Sequence, residues 1–339
     1  MEPRGRGRAR LAGRSRLLTL LLVAALIIAA CGSDAEAQPE RDVTIGLGYV
    51  PNIQFAPFYV ADALGYYKDE GLNVTFRHHT VGEDLFGAIV AGQEDIIFAA
   101  GDEALQARSR GLDLVYVAQV WNRYPVGLIV PADSDIQSVA DLPGHTVGIP
   151  GKFGATYIGL LAMLKAAGLA EEDVDIQSIG FTQVPALLEN QVDAVMGYLN
   201  NEPLQLEKAG LPVRTMAAAD AQPLISNGLV VLREYLDSNP DDVRAVIAAT
   251  LKGVQYTLDN PEEAVDLSKD YVPGLDSEEN AADALAVLQA TLPLWQTSGT
   301  MGETDPAAWE SMAQFLDEIG QLGGPVDVTE AFTNEYLPE

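Results

Sequence analysis

The sequence predicts a two-lobe α/β fold, each lobe a mostly parallel sheet flanked by helices, with a hinge and a cleft between the lobes. Three observations carry that expectation: short apolar runs alternate with stretches of helical spacing, the alternation restarts after residue 130, and beyond residue 232 only helical patterns follow. Strand-then-helix alternation implies parallel strands with crossover helices on both faces. A helical tail without strands of its own must pack back on the first lobe. The chain then crosses between lobes twice, near Val130 and near Ser226, and the crossings form the hinge.

The elements follow in order. Val43-Thr-Ile-Gly-Leu-Gly-Tyr49 is an apolar strand, and residues 55–64 carry apolar side chains at helical spacing up to a stop at Gly65. Strands over 73–78 and 95–100 enclose a helix over 83–91; a helix over 101–110 and strands at 114–120 and 126–130 complete the first lobe. In the second lobe, residues 138–149 read as a short helix, a turn and a strand. Helices over 156–167, 183–190 and 202–209 then alternate with strands over 175–179 and 192–198. A strand at 227–232 brings the chain back, and helices at 240–258, 261–271, 277–292 and 305–319 form the tail. The expected division is a first lobe at 43–130 plus 226–339 and a second at 131–225.

Residues 1–42 are of a different kind. Arg4, Arg6, Arg8, Arg10, Arg14 and Arg16 precede an apolar run over 17–30 that ends Ile28-Ala-Ala-Cys31. A basic start, an apolar stretch and small residues before the cysteine make the pattern of a secretory signal, residues 1–30, and resemble a bacterial lipobox. The run falls short of the roughly 20 apolar residues that span a bilayer. Cys31 is the only cysteine, so the expectation is cleavage before it, acyl chains upon it, and anchoring at the extracytoplasmic face of the cell membrane. Residues 31–42, with Ala, Glu, Gln and Pro and no apolar period, read as a flexible linker.

Composition narrows the function. The chain carries 49 acidic against 20 basic residues, a formal net charge of −29, and export would remove six of the arginines. That excess of negative charge weighs against nucleic acid and anionic lipid headgroups as partners, and against a highly anionic ligand. With one cysteine, no internal disulfide is possible and no cysteine nucleophile remains after lipidation.

In open α/β sheets the binding crevice lies beyond the carboxyl ends of the strands, so the loops after each strand hold the candidates. In the first lobe these are Tyr49, Asn52, Gln54, Phe55, Glu103, Trp121 and Tyr124; in the second, Phe153, Thr156, Tyr157, Gln183, Tyr198, Asn201 and Glu202. Aromatic residues are only 7% of the chain, yet nearly every one of these loops carries one or two. Flat side chains facing each other across a hinge would sandwich a flat heteroaromatic ligand, and Asn52, Gln54, Gln183 and Asn201 would serve its ring nitrogens and carbonyls. The alternative for any one aromatic is a place in its lobe's core.

Other motifs read two ways. The loop Pro150-Gly-Lys-Phe-Gly154 leads into a helix whose free N–H groups point into the cleft; with Lys152 it suits an anion, and without it hydroxyls or ring carbonyls. It lacks the spacing of a phosphate-binding GxxxxGK[ST] loop. Glu202, Asp102 and Glu103 stand at helix starts, where they complement the dipole or face the cleft. His78 and His79 are adjacent on a strand and point to opposite faces, so they do not chelate one ion and no metal is expected.

Two stretches carry a family resemblance. Gly48-Tyr-Val-Pro-Asn-Ile-Gln-Phe-Ala-Pro-Phe-Tyr-Val60 with Gly65-Tyr-Tyr-Lys-Asp-Glu-Gly-Leu-Asn-Val74, and Val139-Ala-Asp-Leu-Pro-Gly-His-Thr-Val-Gly-Ile149, resemble extracytoplasmic solute-binding proteins of the thiamine-pyrimidine-precursor type. The likeness spans most of residues 43–260. Within that family, Gly151-Lys-Phe-Gly-Ala-Thr-Tyr-Ile-Gly159, Ile179-Gly-Phe-Thr-Gln183 and Asn200-Asn-Glu-Pro-Leu-Gln205 look most like the riboflavin-binding, RibY-type branch. The resemblance implies a periplasmic-binding-protein fold of type II-like form. It implies a monomer that captures riboflavin as transported ligand, with no resident cofactor, and delivers it to the permease of an ABC importer; a thiamine pyrimidine precursor is the alternative ligand. Some relatives of this fold synthesise that pyrimidine, but they carry a cysteine-rich iron-binding motif that this chain lacks. No GxSxG elbow or HExxH helix is present either, so a binding protein is expected and not an enzyme.

Overall fold

The computed structural model describes residues 40–80 and 83–338. The expected signal at 1–30, Cys31 and most of the linker lie outside those residues. The linker's end at 42 is corrected, because strand β1 spans Arg41–Leu47. Arg41 pairs with Leu72 in the sheet, and its guanidinium binds Asp242 at 2.8 Å and the Glu70 carbonyl at 3.0 Å. Those ties hold a polar residue in the strand where its sequence alone reads as linker.

Among the described residues ten strands form two five-stranded sheets. The first has the order β2-β1-β3-β10-β4, from β2 (Leu72–His78), β1, β3 (Ile96–Ala100), β10 (Asn227–Leu232) and β4 (Leu114–Gln119). The second has the order β7-β6-β8-β5-β9, from β7 (Asp175–Ser178), β6 (Thr146–Ile149), β8 (Ala194–Tyr198), β5 (Val126–Pro131) and β9 (Val213–Ala217). In each sheet one strand runs against the rest, and it occupies the same fourth place: β10 is antiparallel to β3 and β4, β5 to β8 and β9. Each odd strand is the first one after the chain crosses from the other sheet. Each crossing therefore runs directly into the odd strand of the sheet it enters, which ties the hinge into both sheets.

This arrangement moves one expected boundary. Residues 126–130 were expected to close the first lobe, but β5 lies inside the second sheet, between β8 and β9. The first crossing runs through residues 120–125, ahead of Val130, and the second through residues 218–226. An apolar run buried on both faces demands a central place in some sheet and does not say which one. Strand β9 had no counterpart in the sequence reading, since it is a half-exposed edge strand without clean alternation. It is pinned by Arg214, which donates to the carbonyls of Ala132, Ser134 and Ile136.

The tail covers the first sheet on both sides. Helix Pro240–Asp259 packs on Ala56–Ala63, and at their contact Gly253 lies so close to the Pro57 carbonyl that no side chain fits. Trp295, at the end of helix Glu278–Trp295, joins the same core. On the other face Trp309 of helix Pro306–Glu318 meets Tyr116 edge-on at 5.2 Å and stacks on Phe332. The helix expected over 261–271 ends at Leu267; Tyr271 follows in a turn, stacked on Tyr59 at 4.7 Å. Helix Gly154–Ala166 of the second lobe is buried from Ala155 through Leu164, because it is wedged between its own sheet and helix Gly101–Ser109.

Candidate ligand-binding cleft

The loop after β1 is built by its own side chains. Asn52 Oδ1 accepts from the Gln54 N–H at 3.1 Å and starts the short 3-10 turn Ile53–Phe55 that feeds helix Ala56–Ala63. His78, at the end of β2, braces the loop from behind: Nδ1 lies 3.0 Å from the Tyr49 carbonyl and Nε2 3.1 Å from the Tyr59 hydroxyl. Burial pushes the His78 pKa down, which favours the neutral ring. A carbonyl only accepts, so the proton sits on Nδ1 and Nε2 accepts from Tyr59. His79 turns away and meets Glu94, which Arg77 also binds at 2.7 Å.

A ladder of rings underlies the first-lobe wall. Phe55 meets Phe98 edge-on at 6.1 Å, Phe98 lies 6.4 Å from Trp121, and Trp121 meets Trp295 edge-on at 6.3 Å. Trp121 is only 2% exposed, and its neighbour Asn122 holds the Trp295 carbonyl at 2.7 Å. The second lobe brings aromatics of the opposite character: Phe153 is 60% exposed and Phe181 48%. Phe181 approaches Tyr49 of the first lobe, ring centroids 6.3 Å apart. Phe153 precedes Gly154, whose φ of +66° is left-handed backbone that glycine tolerates without strain.

Two adjoining cavities, of about 400 and 210 Å³, share Tyr49, Gln54, Glu103, Phe153, Phe181 and Tyr198 as common walls. Phe55, Phe98, Trp121 and Asn227 line the larger; Asn52, Thr156, Gln183, Asn200, Asn201 and Glu202 line the smaller. The larger is thus aromatic and the smaller amide-rich. Its carboxylates are held by local geometry: Glu202 accepts from the Tyr198 N–H at 2.7 Å and the Asn201 amide at 3.2 Å, and Glu103 accepts from the Ala100 N–H at 3.1 Å. Each therefore serves its helix start and faces the cleft as well. Burial raises the pKa of both. It raises Asp102 further, with Glu103 beside it adding to the effect.

Twelve of the fourteen expected residues line these cavities; Tyr124 and Tyr157 do not. Tyr124 is buried in the first crossing and donates to Asp102 Oδ1 at 3.2 Å, facing a separate cavity behind the hinge. Tyr157 points out of the cleft and donates to Glu171 at 2.8 Å. Lys152 binds the same carboxylate at 2.5 Å, so it offers no charge to the cleft. On a helix buried nearly all round, neighbouring positions diverge by about 100°, and Thr156 takes the cleft-facing direction that Tyr157 loses. Phe181 and Asn200 were missed as site residues, although both lie in loops the sequence marks out. Phe98 and Asn227 sit inside strands and gave no signal of their own. Among the described residues no group of His, Cys, Asp and Glu is placed to hold a metal ion, and no helix is long and apolar enough to cross a membrane.

Known proteins agree with this architecture. The sequence profile described as NMT1/THI5 like matches residues 52–264. Riboflavin-binding protein RibY of Chloroflexus aurantiacus is 39% identical over 95% of this chain and 98% of its own length. The formylaminopyrimidine-binding protein of Halalkalibacterium halodurans is 28% identical over 93% of this chain and 97% of its own. Among solved structures, the alkanesulfonate-binding protein SsuA from Xanthomonas axonopodis pv. citri, bound to MOPS, superposes with a TM-score of 0.70 over 88% of this chain and 99% of its own, at 18% identity. That last likeness concerns the fold, a two-domain α/β periplasmic-binding-protein architecture.

Proposed function

The chain belongs to the NMT1/THI5-like family, and from that premise we propose that it is the substrate-binding protein of an ABC importer, taking riboflavin into the cleft between its lobes. The observation that carries the reading is the pairing of unlike walls: a buried aromatic ladder on one lobe, and exposed Phe153 and Phe181 on the other. Between them lies a volume in the range of small-molecule sites. A tricyclic flavin fits between such rings, with its polyol chain toward the amides of the smaller cavity. The second reading is an aminopyrimidine, supported by the name of the Halalkalibacterium relative; a single small ring would leave much of the 400 Å³ cavity unfilled.

On this reading the protein is not an enzyme: it binds and releases its ligand unchanged, as a monomer, and passes it to a membrane permease. The signal and Cys31 make it a lipoprotein at the extracytoplasmic face, held by acyl chains, since two lipid signals are needed for stable anchoring. A Cys31→Ser variant should leave the membrane fraction. Titration of lipid-free protein with riboflavin and with the aminopyrimidine tests the ligand. Stacking should quench flavin fluorescence at one equivalent, and a hundredfold excess over Kd should stabilise the fold by about 2.7 kcal/mol. A melting temperature indifferent to both compounds overturns the reading.

A further inference from the structure

The charge that the cleft presents is of one sign. Among the described residues that line the two cavities there is no lysine or arginine, whereas Glu83, Asp84, Glu103 and Glu202 are all present. His79, which lines the larger cavity, is engaged by Glu94. Asn200 is 2% exposed, and its orientation follows from a chain of hydrogen bonds. The Thr291 hydroxyl donates to the Val287 carbonyl, so its oxygen accepts from Asn200 Nδ2 at 2.8 Å. That turns Asn200 Oδ1 away from Thr291 and leaves it without a partner in the wall of the smaller cavity. Asn227 Oδ1, in the larger cavity, is also unpartnered. A buried acceptor without a donor is costly, and an occupant that brings donors would relieve that cost.

One feature would favour an anion: the start of helix Gly154–Ala166, which no side chain caps. A helix end carries only about half a positive charge. Glu103 already lies against it from the other lobe, with Oε1 3.8 Å from where a β-carbon on Gly154 would sit. An acidic side chain therefore occupies the approach to the helix start that a phosphate would need.

We propose that Glu103 and Glu202, with the free amide oxygen of Asn200, select the unphosphorylated ligand: they accept from polyol hydroxyls and ring N–H groups and exclude phosphate esters by charge. The inference rests on the riboflavin reading above, with riboflavin 5′-phosphate as the excluded counterpart. It also places the protein in sequence after a hydrolysis. Where the vitamin outside the cell is a phosphate monoester, water must first attack phosphorus and break the P–O bond, releasing inorganic phosphate and the free ribityl hydroxyl, before this cleft takes the product.

The test is a parallel titration of the lipid-free protein with riboflavin and riboflavin 5′-phosphate, repeated on Glu103→Gln and Glu202→Gln. The parent should bind the phosphate at least about a hundredfold more weakly. Each glutamine keeps a carbonyl oxygen for its local N–H contact and removes the charge, so it should narrow the ratio by about tenfold. Equal affinity of the parent for both flavins overturns the exclusion while leaving the ligand assignment intact. An unchanged ratio in both variants overturns the roles of these two residues. Failure to bind either flavin overturns the assignment and the exclusion together.

Discussion

The two walls of the cleft are made of the same residue class held in opposite ways. On the first lobe, Phe55, Phe98 and Trp121 are buried and packed edge-to-face into a ladder that ends on Trp295 of the tail. On the second lobe, Phe153 and Phe181 stand exposed, and the nearest ring to Phe181 is Tyr49 across the cleft. The sheets beneath share one strand order, so the difference comes from what is layered on them. The tail helices give the first lobe a second layer in which aromatics can be sunk, and the second lobe lacks that cover. A wall fixed by its own core is preorganised for a flat ligand. The opposite wall gains its burial when the cleft is filled.

The sharpest way to break this comparison is Trp121→Ala. Removing a buried indole from the ladder should cost about 3–5 kcal/mol of stability, read by denaturant unfolding, and should weaken flavin binding as the wall collapses. A loss below about 1 kcal/mol would show that the ladder is not the support of the first wall. Phe153→Ala and Phe181→Ala should behave in the opposite way. Being exposed, each should change stability by no more than about 0.5 kcal/mol, while affinity by fluorescence titration should fall about tenfold for about 1.4 kcal/mol of lost stacking. If either unfolds the protein instead, the second wall is also core.

A smaller effect concerns Asp102, buried behind the first wall with Tyr124 on one oxygen and no partner on the other. Its unfolded pKa is near 3.8 and its folded value is raised well above that by burial and by Glu103. A raised carboxyl favours the folded state while protonated, so its contribution is complete below 3.8 and is lost as pH rises through the folded value. Asp102→Asn, which can still accept from Tyr124, should therefore melt with less decline than the parent as pH rises above 3.8. Parallel melting curves across that range would show that the parent's carboxyl is not held protonated. The smallest effect on binding belongs to Tyr157→Ala. Its hydroxyl is spent on Glu171 outside the cleft, so flavin affinity should stay within about twofold, a change of roughly 0.4 kcal/mol, even as packing loosens. A tenfold loss would return Tyr157 to the ligand site.

What the sequence determined alone is what local pattern can encode. Alternation of apolar runs and helical spacing set the two α/β lobes and the strandless tail, and the rule that ligands meet strand ends pointed to Tyr49, Asn52, Gln54, Trp121, Phe153, Gln183 and Glu202, all of which line the cavities. Three matters were decided only in three dimensions. Strand β5 went to the second sheet because a doubly buried run is indifferent to which sheet receives it until its neighbours β8 and β9 are in place. Tyr157 and Lys152 left the cleft because a helix fixes direction by rotation about its axis, and Glu171 lay on the side they faced. Phe98 and Asn227 joined it because a strand residue becomes a wall only when a second lobe stands opposite. Periodicity along the chain says which side chains share a face; what that face meets depends on residues far away in sequence.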